Sequence, residues 1–173
     1  MNDMDIEERF EFRDIRPEEY DRAAEIEAVI FPPNEVVASD DVIAQARISP
    51  DCFMVAADKK TGEVAGFLYG LATDERRFRD DFFTDKSLHD KNGDNIMLLG
   101  LDIMTDYQGH GLGRAVMKHY CAREKARGRK RLILTCLEDL VGMYEKFGYT
   151  DLGISDSNWG GEEWHEMEIV LND

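Results

Sequence analysis

The sequence predicts an α/β domain: a mixed central sheet flanked by helices on both faces. Three observations predict it. Ile96 to Met104 is almost continuously apolar, the pattern of a strand buried on both sides. A glycine-rich turn, Gln108 to Gly113, follows it and opens a helix that runs to Arg127. Segments of strand and helix periodicity succeed one another along the rest of the chain. The 173 residues are enough for one compact domain, 1–173, with a sizeable core.

The first strand is Phe10 to Ile15, with Phe10 and Phe12 on one face. Pro17 suits the first turn of a helix, and Glu18 and Glu19 sit near its positive end. Ala23, Ile26 and Ile30 share one face of that helix, and Pro32-Pro33 stops it. Ser39 is the expected N-cap of a second helix, with Asp40 and Asp41 in its first turn and Val42, Ile43 and Ala46 facing inward. Cys52 to Asp58 and Val64 to Leu71 read as a hairpin around a turn at Lys59 to Gly62. Asp74 to Asp94 is charged but carries Phe78, Phe82 and Phe83, so it is expected to be a packed excursion with some helix. In the long helix Leu112, Val116 and Tyr120 form the apolar stripe, and Gly128 closes it. Arg131 to Cys136 is a strand. Asp139 is the expected cap of a short helix, containing Tyr144 and Phe147, that ends at Gly148. Tyr149 to Ser157 and Trp164 to Leu171 are the last strands, joined around Gly160-Gly161.

Hydrophobic residues make up 43% and charged residues 34%, a globular balance. No apolar run approaches the ~20 residues that span a bilayer, and Met1 to Arg9 lacks the layout of a secretory leader. Cys52, Cys121 and Cys136 are an odd set without metal-ligand spacing, which fits free thiols in the cytoplasm and no bound metal. A net charge of −16 disfavours binding to nucleic acid and attracts cations, amines among them, although solubility is its plainer use.

Gln108-Gly109-His110-Gly111-Leu112-Gly113 is the most informative segment. Three alternate glycines let the backbone approach a diphosphate and leave N–H groups free, and the helix beginning there adds its positive end. An isolated glycine pair would be read as a tight turn alone. No Gly-Lys-Ser or Gly-Lys-Thr follows, so the segment is not a P-loop. The third glycine comes one residue too early for the dinucleotide fingerprint.

Gln-x-x-Gly-x-Gly at Gln108 to Gly113 resembles the acetyl-CoA signature of the GNAT superfamily of N-acetyltransferases. Tyr144-Glu145-Lys146-Phe147-Gly148-Tyr149 is similar to that family's second hallmark, and the element order is also the family's. Cys136 to Tyr149, Gly66 to Arg77 and Glu25 to Phe31 resemble the arylalkylamine branch and its bacterial relatives. The resemblance implies acetyl transfer from acetyl-CoA, as co-substrate, to a primary amine of a small molecule; a peptide amine, or coenzyme binding with little turnover, are the alternatives. It implies pyrophosphate capture by Gln108, Gly109, His110, Gly111, Leu112 and Gly113. It also implies pairing of the pantetheine arm with backbone groups of Leu101, Asp102 and Ile103 near a bulge that Gly100 would permit. Tyr144 is then the acid beside the coenzyme sulfur, where otherwise it would read as a packed core tyrosine. Relatives of this kind are monomers or homodimers.

The family's base is missing. The branch's two histidines align with Met97 and Leu99, other branches' glutamate also with Met97, and an asparagine near the coenzyme with Leu137. His165, on a strand face with Met167, Ile169 and Leu171, is the first replacement expected, although a hydrogen-bonded core histidine is the commoner case. Strand alternation puts Asp102 on the face opposite Met97. Asp94 and His89 precede that strand, His110 lies in the turn, and a water chain could also serve. Phe31, Met97, Met143, Trp159 and Trp164 are candidates for the acceptor pocket, edged by Ser155 to Gly161; core packing is the alternative for each.

Overall fold

A computed structural model describes residues 3–173. Seven strands form one sheet in the order β1-β2-β3-β4-β5-β7-β6: β1 Phe10–Asp14, β2 Phe53–Asp58, β3 Val64–Thr73, β4 Asn95–Ile103, β5 Arg131–Cys136, β6 Thr150–Ile154 and β7 His165–Val170. Neighbouring strands run antiparallel except β4 and β5, so the sheet is mixed, as expected. Helices α2 (Tyr20–Ile30) and α3 (Ser39–Ile48) cover one face, over a core that includes Ile26, Val42, Phe53, Tyr69 and Met97. Helix α4 (Leu112–Ala126) covers the other, over Leu98, Leu132 and Met167, with α1 (Asp3–Arg9) and α5 (Val141–Phe147) contributing Ile6, Tyr144 and Phe147. No helix among the described residues is long and apolar enough to cross a membrane.

Local chemistry sets the element ends. Pro17 opens a 3-10 turn into α2, and the Glu19 carboxylate accepts the Arg16 N–H at 2.9 Å and pairs with Arg13. Two expected caps are corrected. The Ala38 carbonyl accepts the N–H groups of Asp41 and Val42, so Ala38 is the cap of α3 and Ser39 is already helical. A 3-10 turn over Glu138–Leu140 runs straight into α5, which makes Leu140, not Asp139, the preceding residue. Gly128 does close α4: its φ of 88° lets Arg129 N–H reach back to the Glu124 carbonyl at 3.0 Å. The β3–β4 excursion packs Phe78, Phe82 and Phe83 into the α2/α3 core through two 3-10 turns.

Two features of β4 shape the site. First, its parallel pairing with β5 runs through Asn95, Ile96 and Met97; beyond Met97 the two strands part. Second, opposite β3 the register moves from Gly70↔Leu98 to Tyr69↔Gly100, leaving Leu99 as the extra residue of a bulge. The extra residue reverses the alternation. Leu98, Leu101 and Ile103 pack towards α4, while Met97, Leu99 and Asp102 face α2. The expectation that Asp102 opposes Met97 is therefore corrected: uninterrupted alternation does not hold across a bulge.

Candidate active site

Where β4 and β5 part, a cleft of about 520 Å³ opens through the middle of the sheet. One arm is Leu98 to Leu101 with Ile103, the other Leu134 to Leu137. On the β5 side of β4 no strand follows, so its edge N–H and C=O groups there are left to pair with an extended ligand, the same interaction a strand would make.

The glycine-rich turn lies at one end. Gly109 and Gly111 have φ of 80° and 89°, the left-handed conformation that other residues rarely adopt. Gly111 is the N-cap of α4, and its carbonyl accepts the first helical bond, from Ala115 N–H. The N–H groups of Leu112, Gly113 and Arg114 precede that bond and point out of the helix end, where its dipole favours an anion. The Gln108 side chain donates to the Ile103 carbonyl at 2.9 Å and fastens the turn to the end of β4. A Cβ on Gly113 would meet Ile103 at 3.6 Å and Leu101 at 3.8 Å, ordinary packing distances, so the start of the helix lies against the end of β4.

Tyr144 lines the cleft from α5, its ring edge-on to Tyr149 at 5.5 Å. Burial, and then the neighbouring Cys136, push its hydroxyl up to about 12. It stays protonated at neutral pH and has an O–H to donate. Cys136 also lines the cleft, and burial raises its thiol to about 12, so it is not a ready nucleophile.

The family model for GNAT acetyltransferases matches residues 11–149. The chain belongs to the GNAT acetyltransferase family. Solved structures of the fold superpose over nearly the whole chain. The loading GNATL domain of CurA from Lyngbya majuscula has a TM-score of 0.80 at 12% identity, covering 94% of this chain and 98% of that one. The GphF GNAT-like decarboxylase in complex with isobutyryl-CoA has 0.76 at 18%, covering 94% and 100%. YncA of Salmonella typhimurium, a putative acetyltransferase with acetyl-CoA, has 0.66 at 14%, covering 95% of each. At these identities the likeness concerns the fold. Comparison with curated proteins finds no match.

In this GNAT protein an acyl-CoA is the co-substrate that the free strand edge and the glycine-rich turn fit. The cleft is also walled by Phe31 and Ile30 from the end of α2, Phe83, Leu99, Met143, Trp159 and Trp164. Phe31, Met143, Trp159 and Trp164, the acceptor-pocket candidates of the sequence, all line the cleft. Met97 does not reach the cleft lining; it is fully buried in the α2/α3 core. His165 is also outside the lining and holds Asp151 at 3.1 Å through Nδ1. His89 accepts the Ala72 N–H, Asp94 pairs with Lys130, and His110 is exposed.

The charged groups that do line the cleft are Glu27 and Glu35. Glu27 sits on the buried face of α2, four residues after Ala23 and three before Ile30, an acid inside an apolar stripe. That misplaced acid was the overlooked signal in the sequence. Its carboxylate accepts the Val37 N–H at 3.1 Å and meets the Asp102 carboxyl, itself wholly buried. Both converge beside Gly100: a Cβ there would lie 2.9 Å from Asp102 Oδ1 and 3.4 Å from Glu27 Oε1. Burial, reinforced by the Glu27 charge, holds the Asp102 carboxyl well above the carboxylate range; burial also raises Glu27, against the N–H that it accepts from Val37. At the rim, burial and the charges of Glu162 and Asp139 raise Glu35.

The raised Asp102 has a consequence for stability. Its favourable contribution is complete below about 4, the pKa of an unfolded aspartate, and is lost as pH rises through its higher folded value. Thermal denaturation should therefore show stability falling towards alkaline pH, and Asp102→Asn should flatten that fall.

The segment Ser155 to Gly161 borders the cleft through Trp159. Trp159 donates to the Glu35 carbonyl at 2.9 Å and stacks obliquely on Phe83 at 4.4 Å; Asn34 donates to the Gly160 carbonyl at 3.1 Å. Gly160 has φ of 64°, and a Cβ there would collide with the Asn34 carbonyl. Gly160→Ala is expected to lift this segment, raising KM for the acceptor about 10-fold, the effect of roughly 1.4 kcal/mol, with acetyl-CoA affinity unchanged. Steady-state kinetics in each substrate separates the two.

Proposed function

We propose that the protein is an N-acetyltransferase that moves the acetyl group of acetyl-CoA to the primary amine of a small molecule with an apolar, aromatic-compatible body. The carrying observation is the composition of the cleft: aromatic and aliphatic walls, with Glu27 and Glu35 as the charged residues of the lining. Such a pocket attracts an ammonium and shelters an apolar body. The likeness of Glu25 to Phe31 and Gly66 to Arg77 to the arylalkylamine branch supports the same reading.

An alkylammonium has a pKa near ~10.4, so neutralising it at pH 7 costs about 4.6 kcal/mol. The neutral nitrogen attacks the thioester carbonyl, the carbon–sulfur bond breaks, and the thiolate leaves. Tyr144 donates to that sulfur. With its hydroxyl at about 12 and a cysteine-like thiol near ~8.5, full proton transfer from Tyr144 would be uphill by roughly 5 kcal/mol. Tyr144 therefore stabilises developing charge by hydrogen bonding, and the sulfur takes its final proton from the attacking nitrogen. The test is thiol release from acetyl-CoA across a panel of arylalkylamines, polyamines, amino acids and peptides. Amine-dependent release led by arylalkylamines supports the proposal. Preference for peptides moves the substrate class, and tight acetyl-CoA binding without release by any acceptor overturns transfer.

A further inference from the structure

We propose that Glu27 is the proton acceptor for the incoming ammonium, and that Asp102 positions it by holding a proton against it; this rests on the acetyl-transfer reading above. Two carboxyls meet in the core beside the cleft, with Glu27 1% and Asp102 0% exposed. Two facing carboxylates in such a place cannot both be charged, so one proton lies between them. Both Asp102 carboxyl oxygens and Glu27 Oε1 are buried without another partner, so the proton is placed on Asp102, facing Glu27, whose other oxygen accepts from Val37 N–H. Glu27 is thereby an anion held in one orientation, and it alone of the two is in the cleft lining.

The bulge at Leu99 makes this arrangement. By turning Asp102 towards α2 it supplies Glu27 with a donor, at the level where Gly100 leaves the cleft floor open. The other groups facing the pair are the Tyr69 hydroxyl of β3, which is fully buried, Asp41 of α3, which acts on Tyr69, and Glu35 at the rim. None is a cation, so an entering ammonium finds no competitor there.

The protons balance. The ammonium gives one proton to Glu27 and its nitrogen forms the bond to the acetyl carbon. As the carbon–sulfur bond breaks, a second nitrogen-bound proton goes to the sulfur. Glu27 then returns its proton to solvent.

Infrared difference spectroscopy and kinetics test both halves. Wild-type protein at neutral pH should show a protonated-carboxyl C=O stretch that Asp102→Asn removes. Glu27→Gln should lower kcat by roughly 10²–10⁴-fold, abolish the acid limb of kcat/KM, and leave acetyl-CoA affinity unchanged by calorimetry, which also reports an intact fold. Asp102→Asn, whose amide still donates to Glu27, should move the acid limb of kcat/KM to lower pH. A folded Glu27→Gln with unchanged kcat, or an acid limb that disappears with His165→Ala and persists with Glu27→Gln, overturns the assignment. Absence of the infrared band overturns the shared proton. If the wild type releases no thiol with any amine, acetyl transfer itself fails, and the infrared result still decides the shared proton separately.

Discussion

Tyr144→Phe is expected to lower turnover by about 10²–10³-fold, the range for loss of one hydrogen-bond donor to developing charge, with little change in acetyl-CoA affinity. The substitution removes one oxygen. The ring remains, and with it the edge-on contact to Tyr149 and the wall it gives the cleft. What is lost is the donor at the leaving sulfur. Because burial holds the hydroxyl at about 12, the wild-type rate should show no alkaline limb from Tyr144 at neutral or mildly alkaline pH. Pre-steady-state thiol release at saturating substrates checks the size of the effect. A folded variant with wild-type turnover would take Tyr144 out of the reaction and leave it a packing residue.

Glu124→Ala is expected to destabilise the fold by about 3–5 kcal/mol, as loss of one partner from a buried ion pair does. Glu124 is wholly buried in α4 and receives Arg127 at 3.0 Å and Arg129 at 3.4 Å, with Arg123 at 3.6 Å. Arg129 also donates to the Gly93 carbonyl, so the cluster ties the end of α4 to the segment before β4. Without Glu124 the largely buried Arg129 loses its acid. For a chain of this length the midpoint should fall by roughly 10 °C, measured by thermal denaturation. A change of only a few tenths of a kcal/mol would mean that the arginines find solvent or other acids at little loss.

The glycine-rich turn and the buried strand were legible because they depend on local chemistry. Glycines that must adopt φ near 80–90° are visible as glycines, and a strand buried on both faces is visible as an apolar run. The carboxyl pair depends on contacts between distant segments. Glu27 and Asp102 lie 75 positions apart in the chain, and only the bulge brings them together; strict alternation hides it. The caps at Ser39 and Asp139 each differ by one residue from those in the structure, because backbone carbonyls, not side chains, begin those helices. The helix over Asp3–Arg9 escaped notice for a different reason: its acidic sequence offers little besides Ile6, which is 1% exposed.

The parting of β4 from β5 also has a mechanical meaning. The sheet is two leaves, β1 to β4 and β5 to β6, stitched along Asn95, Ile96 and Met97. A pantetheine arm laid between them would act as a keystone, borrowing rungs from one leaf while α5 leans in from the other. Occupancy should then be felt far from the chemistry, as slower amide exchange along both arms and a higher unfolding temperature that rises with coenzyme concentration. The same seam that admits the substrate is the line along which the empty molecule would first breathe.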